Sequence, residues 1–501
     1  MPHTSARVRE APTASQISDD RLILPLTKAS RTGTESDAAE RSPVFGFILV
    51  GGALVGAQVR DIRLANELVR RGYPVHVWWA FDRPHDQRLD PAISQRWLFT
   101  SSRYSAWMGS WANNDLLGRL ANRFLSDRAR TWITQNYPDF MDKQMWAIIQ
   151  LACNGVETDV RLIRRFAAEL SELQVTHLLP NLEILALFAA AAKKQVATPL
   201  KYLVTFQGYE IYANYARGMG CEEALYSRLA AAVAESDWPA IAVSDAYAGR
   251  IQREVGVPAG QLSTIPPGIP VQNPLELPHA RKLVATAFPE YRPDLPLISY
   301  VGRRDSEKGL DLLLYAVKLL ESRGVPCQLA ICGPTAFGSV YEKACTQVAQ
   351  HLRVPVLSSG YVSTELRAAL FRESRTVVYP SIHEEPFGMV PVEAMAQGTP
   401  VVVPDIGGVA SVVQVGACKA GLLFSSWDSG DLADKLQALI EEELLHASLA
   451  AGAPHIADHF SVAKLGERVL DHVGLPHWHG DAESQPEVHG ADLAAAQRRA
   501  A

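Results

Sequence analysis

Tyr379-Pro-Ser-Ile-His-Glu-Glu-Pro-Phe-Gly-Met-Val-Pro-Val-Glu-Ala-Met-Ala-Gln-Gly398 follows an apolar strand, Thr376 to Tyr379, and opens a helix. Pro391 is tolerated only in a first turn, where its missing N–H has no intrahelical partner to lose. Ala394, Met395 and Ala396 are good helix formers. Gly398 caps the helix, Pro400 prevents its continuation, and Val401 to Val403 reads as the next strand. Strand, loop, helix and strand in that order predict an α/β fold with a parallel sheet. Glu385 then lies in the loop ahead of the helix and Glu393 in its second turn.

Backbone N–H groups of Phe387, Gly388 and Met389 face the space at the helix start, where the helix dipole favours an anion. Carboxylates repel phosphate but bond hydroxyls strongly. A ligand bearing both a diphosphate and polyols, such as a nucleotide-sugar, satisfies both features. In the alternative, Glu393 is an exposed helix residue and Glu385 a loop residue favoured by the dipole; spacing alone does not separate the two. A second group, Val301-Gly-Arg-Arg-Asp-Ser-Glu-Lys-Gly309, follows the strand Leu297 to Val301 and precedes a helix, Leu310 to Leu320. Basic residues at the carboxyl end of a parallel strand sit where open α/β sheets bind ligands. Arg303 and Lys308 can clamp a diphosphate, one as a planar fork and the other as a point charge. A solvated charged loop is the alternative.

Toward the N-terminus, Phe45 to Val50, a helix from Val59 to Arg71, and Val75 to Trp79 form a βαβ unit ended by Gly72. Its loop, Gly51 to Gly56, lacks the Gly-Lys-Ser/Thr of a P-loop and is not G-x-G-x-x-G. Gly56 still lets a phosphate or sugar approach the backbone. Further strands are expected at His177 to Leu179, Leu200 to Thr205, Ala240 to Val243 and Leu262 to Ile265. Pro266, Pro267, Pro270, Pro274 and Pro278 then make a stiff connector. A second α/β series has strands at Leu297 to Val301, Gln328 to Cys332, Thr376 to Tyr379 and Val401 to Val403. The expected organisation is a disordered tail over 1–42, a first domain over 43–271 and a second over 272–460. A helix over 461–475 packs back on the first domain, and a disordered tail covers 476–501. His477 and His479 lack a third ligand and are read as tail rather than a metal site. The stretch Trp97 to Trp146 holds five of ten Trp, including Trp107, Trp111 and Trp132. Helix packing is favoured there over an aromatic wall for substrate.

Lys and Arg number 48 against 54 Asp and Glu, a net charge of −6. That sign argues against a nucleic-acid binder. No apolar run approaches the ~18 residues of a membrane span, and the N-terminus has neither signal-peptide order nor the acid-poor composition of a transit peptide. Six cysteines with no C-x-x-C pair read as reduced thiols. A cytoplasmic enzyme without stable membrane insertion is expected.

Together these segments resemble the retaining glycosyltransferases of family 4, which have the GT-B fold: two Rossmann-like domains facing across a cleft. Glu385 and Glu393 match the family's E-x7-E motif within "EEPFG…EAMAQGTPVV", and "VGRRDSEKG" matches its "GR…EKG" segment. "DIGG" at Asp405 to Gly408, the Gly421-Leu-Leu run and "VGAQVR…LANELVRRGYPVHV" also fall in family positions. The resemblance implies that Arg303 and Lys308 hold the donor diphosphate, Glu393 the nucleotide ribose and Glu385 the sugar hydroxyls. Backbone N–H groups of Phe387, Gly388, Met389 and Val390 would contact sugar or phosphate, with Gly56 facing them from the first domain. It implies no metal and no other cofactor. Many relatives carry a histidine in "TFHG-x-D"; here Thr205-Phe-Gln-Gly-Tyr-Glu210 has Gln207, which is no base. Glu210, Tyr212 and Arg217 are candidate acceptor or sugar contacts with Gln207, core packing being the alternative for the whole segment Tyr209 to Met219. The expected function is transfer of a hexose-type sugar from a nucleoside-diphosphate sugar to a hydroxyl acceptor. A GT-B phosphorylase or epimerase, or a non-catalytic sugar-nucleotide-binding scaffold, is the alternative. Neither the acceptor nor an oligomeric state is legible.

Overall fold

The computed structural model describes residues 43–50, 56–80, 86–99, 139–335 and 339–477. The tail over 1–42, the loop over 51–55, Trp107, Trp111, Trp132 and the chain beyond His477 lie outside the described residues. The first half is built on a five-stranded parallel sheet: β1 (Phe45–Leu49), β2 (Val75–Trp79), β3 (Ser94–Trp97), β4 (His177–Pro180) and β5 (Lys201–Tyr202). Their order is β3-β2-β1-β4-β5. Every residue of β1 is buried, as suits a central parallel strand apolar on both faces. The helix Gly56–Arg70 leads from β1 to β2.

A separate three-stranded parallel sheet joins β6 (Thr205–Phe206), β7 (Ala240–Ala242) and β8 (Leu262–Thr264). The single strand expected over Leu200 to Thr205 is thus two short ones in different sheets. The Leu203 N–H donates to Leu178 O at 3.1 Å in the first sheet, and Val204 O accepts from Ile241 N at 2.8 Å in the second. Both of these backbone groups find partners as the chain steps across from one sheet to the other.

The second half carries β9 (Leu297–Val301), β10 (Gln328–Cys332), β11 (Val356–Ser359), β12 (Thr376–Val378) and β13 (Val401–Pro404). A small hairpin, β14 (Gln414–Val415) with β15 (Cys418–Lys419), precedes β16 (Gly421–Phe424). The six-stranded parallel sheet runs β11-β10-β9-β12-β13-β16. In both halves the strand order reverses at one place, between β1 and β4 and between β9 and β12. The crevice outside the carboxyl ends at such a switch point is where open sheets bind ligands.

The chain passes between the halves twice, side by side. Ile269 N donates to Phe460 O at 2.8 Å and Val462 N to Ile269 O at 2.9 Å. The helix Val462–His472 then lays Leu465, Val469 and Leu470 into the core that holds Phe45, Leu64 and Val77 of the first half. Arg71 donates to Ala463 O at 3.0 Å, and the Tyr73 hydroxyl donates to Pro476 O. The cysteines are all free, yet Cys153 and Cys221, 68 residues apart, bring their Sγ atoms to 2.7 Å. No local spacing signals that meeting. Among the described residues no helix is long and apolar enough to cross a membrane.

Candidate active site

The loop after β12 leads into the helix Met389–Ala396 through Gly388. Gly388 has φ +92°, and a Cβ there would lie 2.6 Å from Val409 Cγ2, so only glycine fits. The turn holds Glu385 buried, with Oε1 accepting from Ser381 Oγ at 2.9 Å and from Lys308 Nζ. Lys308 reaches it from the 3-10 turn Ser306–Lys308 that follows β9. Burial opposes its charge, but the carboxylates of Glu385 and Glu307 outweigh that and hold its pKa above the ordinary lysine value. Arg303 pairs with Asp305 at 2.7 Å and Glu307 at 2.6 Å, its side chain 34% exposed.

The two cations expected to meet a diphosphate are therefore already faced by three carboxylates. Lys308 is fixed by burial, while Arg303 is exposed enough to change partners. Glu393 is not an exposed helix residue. Arg63 Nη2 donates to its Oε1 at 2.9 Å, and Arg367, on the helix Thr364–Glu373, lies 3.3 Å from its Oε2. Arg63 also donates to Gly268 O at 3.1 Å. Sequence reasoning missed both arginines; the only signal for Arg63 was a cation two turns after Gly56.

The halves face each other at this point. A Cβ on Gly56 would meet Met389 Cε at 3.2 Å, and Ser244 Oγ donates to Pro386 O at 2.6 Å. Phe387 is buried with its ring edge-on to Phe460 at 5.2 Å, so only its backbone is offered to a ligand. Val390 is half-buried in the first turn.

On the first-half side, Gln207 Nε2 donates to Asp61 Oδ2 at 2.8 Å and Asn181 O at 2.6 Å. Its amide is thereby oriented, with the Asp61 pKa raised by burial against the opposing pull of Arg60 and Asn181. Glu210 pairs with Arg250 at 2.8 Å and accepts from the Tyr247 hydroxyl at 3.2 Å. Burial raises its pKa against Arg250 and His383. A cavity of ≈ 450 Å³ is lined by Tyr209, Glu210, Arg217, Arg250 and Glu254 together with His383 of the second half, two residues before Glu385. A smaller one of ≈ 200 Å³ shares Arg250 and reaches Glu385 and Gly407. Arg217 is exposed and paired with Glu222 at 2.6 Å. Tyr212 takes the core-packing alternative: it is 6% exposed and packs in the core, because it falls on the inward face of the helix Glu210–Gly218. Trp146, by contrast, is exposed, with its ring edge against Tyr215 at 6.1 Å.

Residues 287–455 match the family described as glycosyl transferases group 1. The chain is 30% identical over 268 residues to a D-inositol 3-phosphate glycosyltransferase of Rhodococcus opacus, covering 51% of this chain and 58% of that one. It is 30% identical over 177 residues to an alpha-D-kanosaminyltransferase of Streptomyces kanamyceticus, covering 35% and 45% respectively. The chain thus spans about half the length of these relatives. Among solved structures it is similar to Anabaena Alr3699/HepE in complex with UDP and glucose, at TM-score 0.61, 18% identity and coverage of 86% and 99%. It is also similar to a sucrose-phosphate synthase of Thermosynechococcus elongatus, at TM-score 0.63, 19% identity and coverage of 86% and 98%. These two likenesses bear on the fold alone. The strand–loop–helix segment that holds Glu385 and Glu393 therefore lies within the stretch that matches the group 1 glycosyl transferases, on a GT-B fold of two Rossmann-like halves.

Proposed function

We propose that this chain is a retaining glycosyltransferase that moves a hexose-type sugar from a nucleoside-diphosphate sugar to a hydroxyl acceptor. The observation that carries the reading is the buried Lys308–Glu385 pair beside the start of the helix Met389–Ala396, facing Gly56 across the crevice. The helix start and the two cations suit a diphosphate. Glu385 suits the sugar hydroxyls, and Glu393, released from Arg63, suits the ribose. The UDP held by the Anabaena neighbour makes uridine the first base to test. In the reaction the bond from the anomeric carbon to the phosphate oxygen breaks while the acceptor oxygen bonds from the same face. The departing phosphate takes the acceptor's proton, so no side-chain base is needed at Gln207. Lys308 and Arg303 stabilise the charge that grows on the leaving diphosphate, in a closed crevice where such contacts count most. This chemistry uses no metal. The acceptor enters from the cavity lined by Glu210 and Arg217.

A thermal-shift panel with the diphosphates of uridine, guanosine and adenosine and their sugar adducts tests the reading, with Glu393→Ala alongside. Ligand at ~100 times its Kd adds about 2.7 kcal/mol to the folded state. One nucleotide should raise Tm, and the variant should need roughly tenfold more of it, as expected for a lost charge-assisted hydrogen bond. No shift with any nucleotide from folded protein would sink the proposal.

A further inference from the structure

Cys153 lies in the last turn of the helix Asp139–Asn154, and Cys221 is the residue ahead of the helix Glu222–Ala234. Their Sγ atoms stand 2.7 Å apart, the Cys221 S–H donating to the Cys153 sulfur. The Cys153 S–H donates in turn to Cys221 O at 3.5 Å. The backbone around both residues is held. Cys221 N donates to Ala216 O at 2.9 Å, and Cys221 O accepts from Leu225 N at 3.0 Å. Cys153 O accepts from Arg228 Nε at 3.0 Å. The helix Asp139–Asn154 packs on both Glu210–Gly218 and Glu222–Ala234. A disulfide has its sulfurs ~2.05 Å apart, so an approach of about 0.7 Å would join this pair.

We propose that Cys153 and Cys221 are a reversible redox site, oxidised by a small-molecule disulfide of the glutathione type to a bond that ties the helix Asp139–Asn154 to the turn between Glu210–Gly218 and Glu222–Ala234. Cys221 is half-buried, whereas Cys153 is 7% exposed. Burial and the neighbouring Cys221 push the Cys153 thiol up to about 12, so Cys221 is the sulfur that meets the oxidant. Its thiolate attacks one sulfur of the small disulfide, whose S–S bond breaks and releases one thiol. Cys153 Sγ then attacks Cys221 Sγ and expels the second thiol, which leaves with the Cys153 proton. Two protein thiols are oxidised and one small disulfide is reduced to two thiols. In a reducing compartment such a bond is transient and senses oxidant. The bond closes beside the cavity of ≈ 450 Å³, because Arg217, Glu222 and Tyr226, on either side of Cys221 in the chain, line it. The site goes beyond the glycosyl-transfer reading and does not depend on it.

The test incubates the full chain with oxidised and reduced glutathione in rising ratio and counts thiols with Ellman's reagent after unfolding. The count should fall from six to four, and peptide mapping should find Cys153 joined to Cys221. Dithiothreitol should restore all six. Cys153→Ser should stop at glutathione bound to Cys221, and Cys221→Ser should take up glutathione at Cys153 at least ~10-fold more slowly. Closing a loop across 68 positions should raise Tm by several degrees. Backbone hydrogen exchange over 210–226 should slow in the oxidised chain. The proposal is overturned if six thiols persist at every ratio, if wild type holds glutathione on Cys221 without passing to Cys153, or if the oxidised chain is no more stable than the reduced one.

Discussion

Lys308→Ala separates stability from catalysis at the proposed leaving-group contact. Lys308 is 7% exposed and Glu385 9%, so the substitution strips the partner from a buried carboxylate. Breaking a buried pair from one side costs about 3–5 kcal/mol. Glu385 retains its 2.9 Å bond from Ser381 Oγ, which places the expectation at the lower end, about 3 kcal/mol, a fall of several degrees in Tm. Turnover should fall ~10²–10³-fold if the ammonium stabilises charge that develops only in the transition state. The two effects are parted by adding Glu385→Gln. The neutral amide no longer needs the lysine, so the double variant should recover most of the lost Tm, while turnover stays down. The assay is urea or thermal unfolding alongside single-turnover release of the diphosphate. Turnover within threefold of wild type in Lys308→Ala would refute the leaving-group role. Recovery of turnover together with Tm in the double variant would show that only stability had been lost.

A Cβ on Gly408 would lie 2.0 Å from Pro386 O and 2.4 Å from Ser244 Oγ. Gly408→Ala should therefore destabilise by about 1–3 kcal/mol, read as a lower urea midpoint, whereas Gly360→Ala, with nothing within 4 Å, should leave the midpoint unchanged. His177, stacked on Trp238 at 5.5 Å, has its pKa lowered to about 4 by burial and then by the Lys201 charge. The unfolded chain takes up the proton first, so stability present above pH 6.5 should be lost as pH falls toward 4. The loss is on the order of 3 kcal/mol, and His177→Phe should flatten that limb of the unfolding curve against pH.

The segments that form local structure were legible because their causes are local. Pro391 does occupy the first turn of the helix Met389–Ala396, and Gly388 starts it. Arg303 and Lys308 do leave the end of β9. Strand ends were harder. The residues Leu200 to Thr205 look like one strand because each is compatible with extended backbone, but which sheet each joins depends on Leu178 and Ile241, distant in sequence. Tyr209 and Tyr212 both sit near the start of one short helix; packing buries both in the core, and only Tyr209 also borders the cavity.

By itself, then, the sequence determined the alternation of strands and helices, the placing of the E-x7-E and Gly-Arg-…-Lys-Gly segments at strand ends, and the likeness to a two-domain α/β family. Capping, proline tolerance and hydrophobic periodicity act over a few residues, and a reader can apply them along the chain. Tertiary structure alone decided which charges meet. Arg63 reaches Glu393 across 330 positions, Lys308 is claimed by Glu385, and Gln207 is tied to Asp61. Electrostatic pairing and burial depend on distance and dielectric in space, and those are set when the strands assemble into sheets and the two halves close on one crevice.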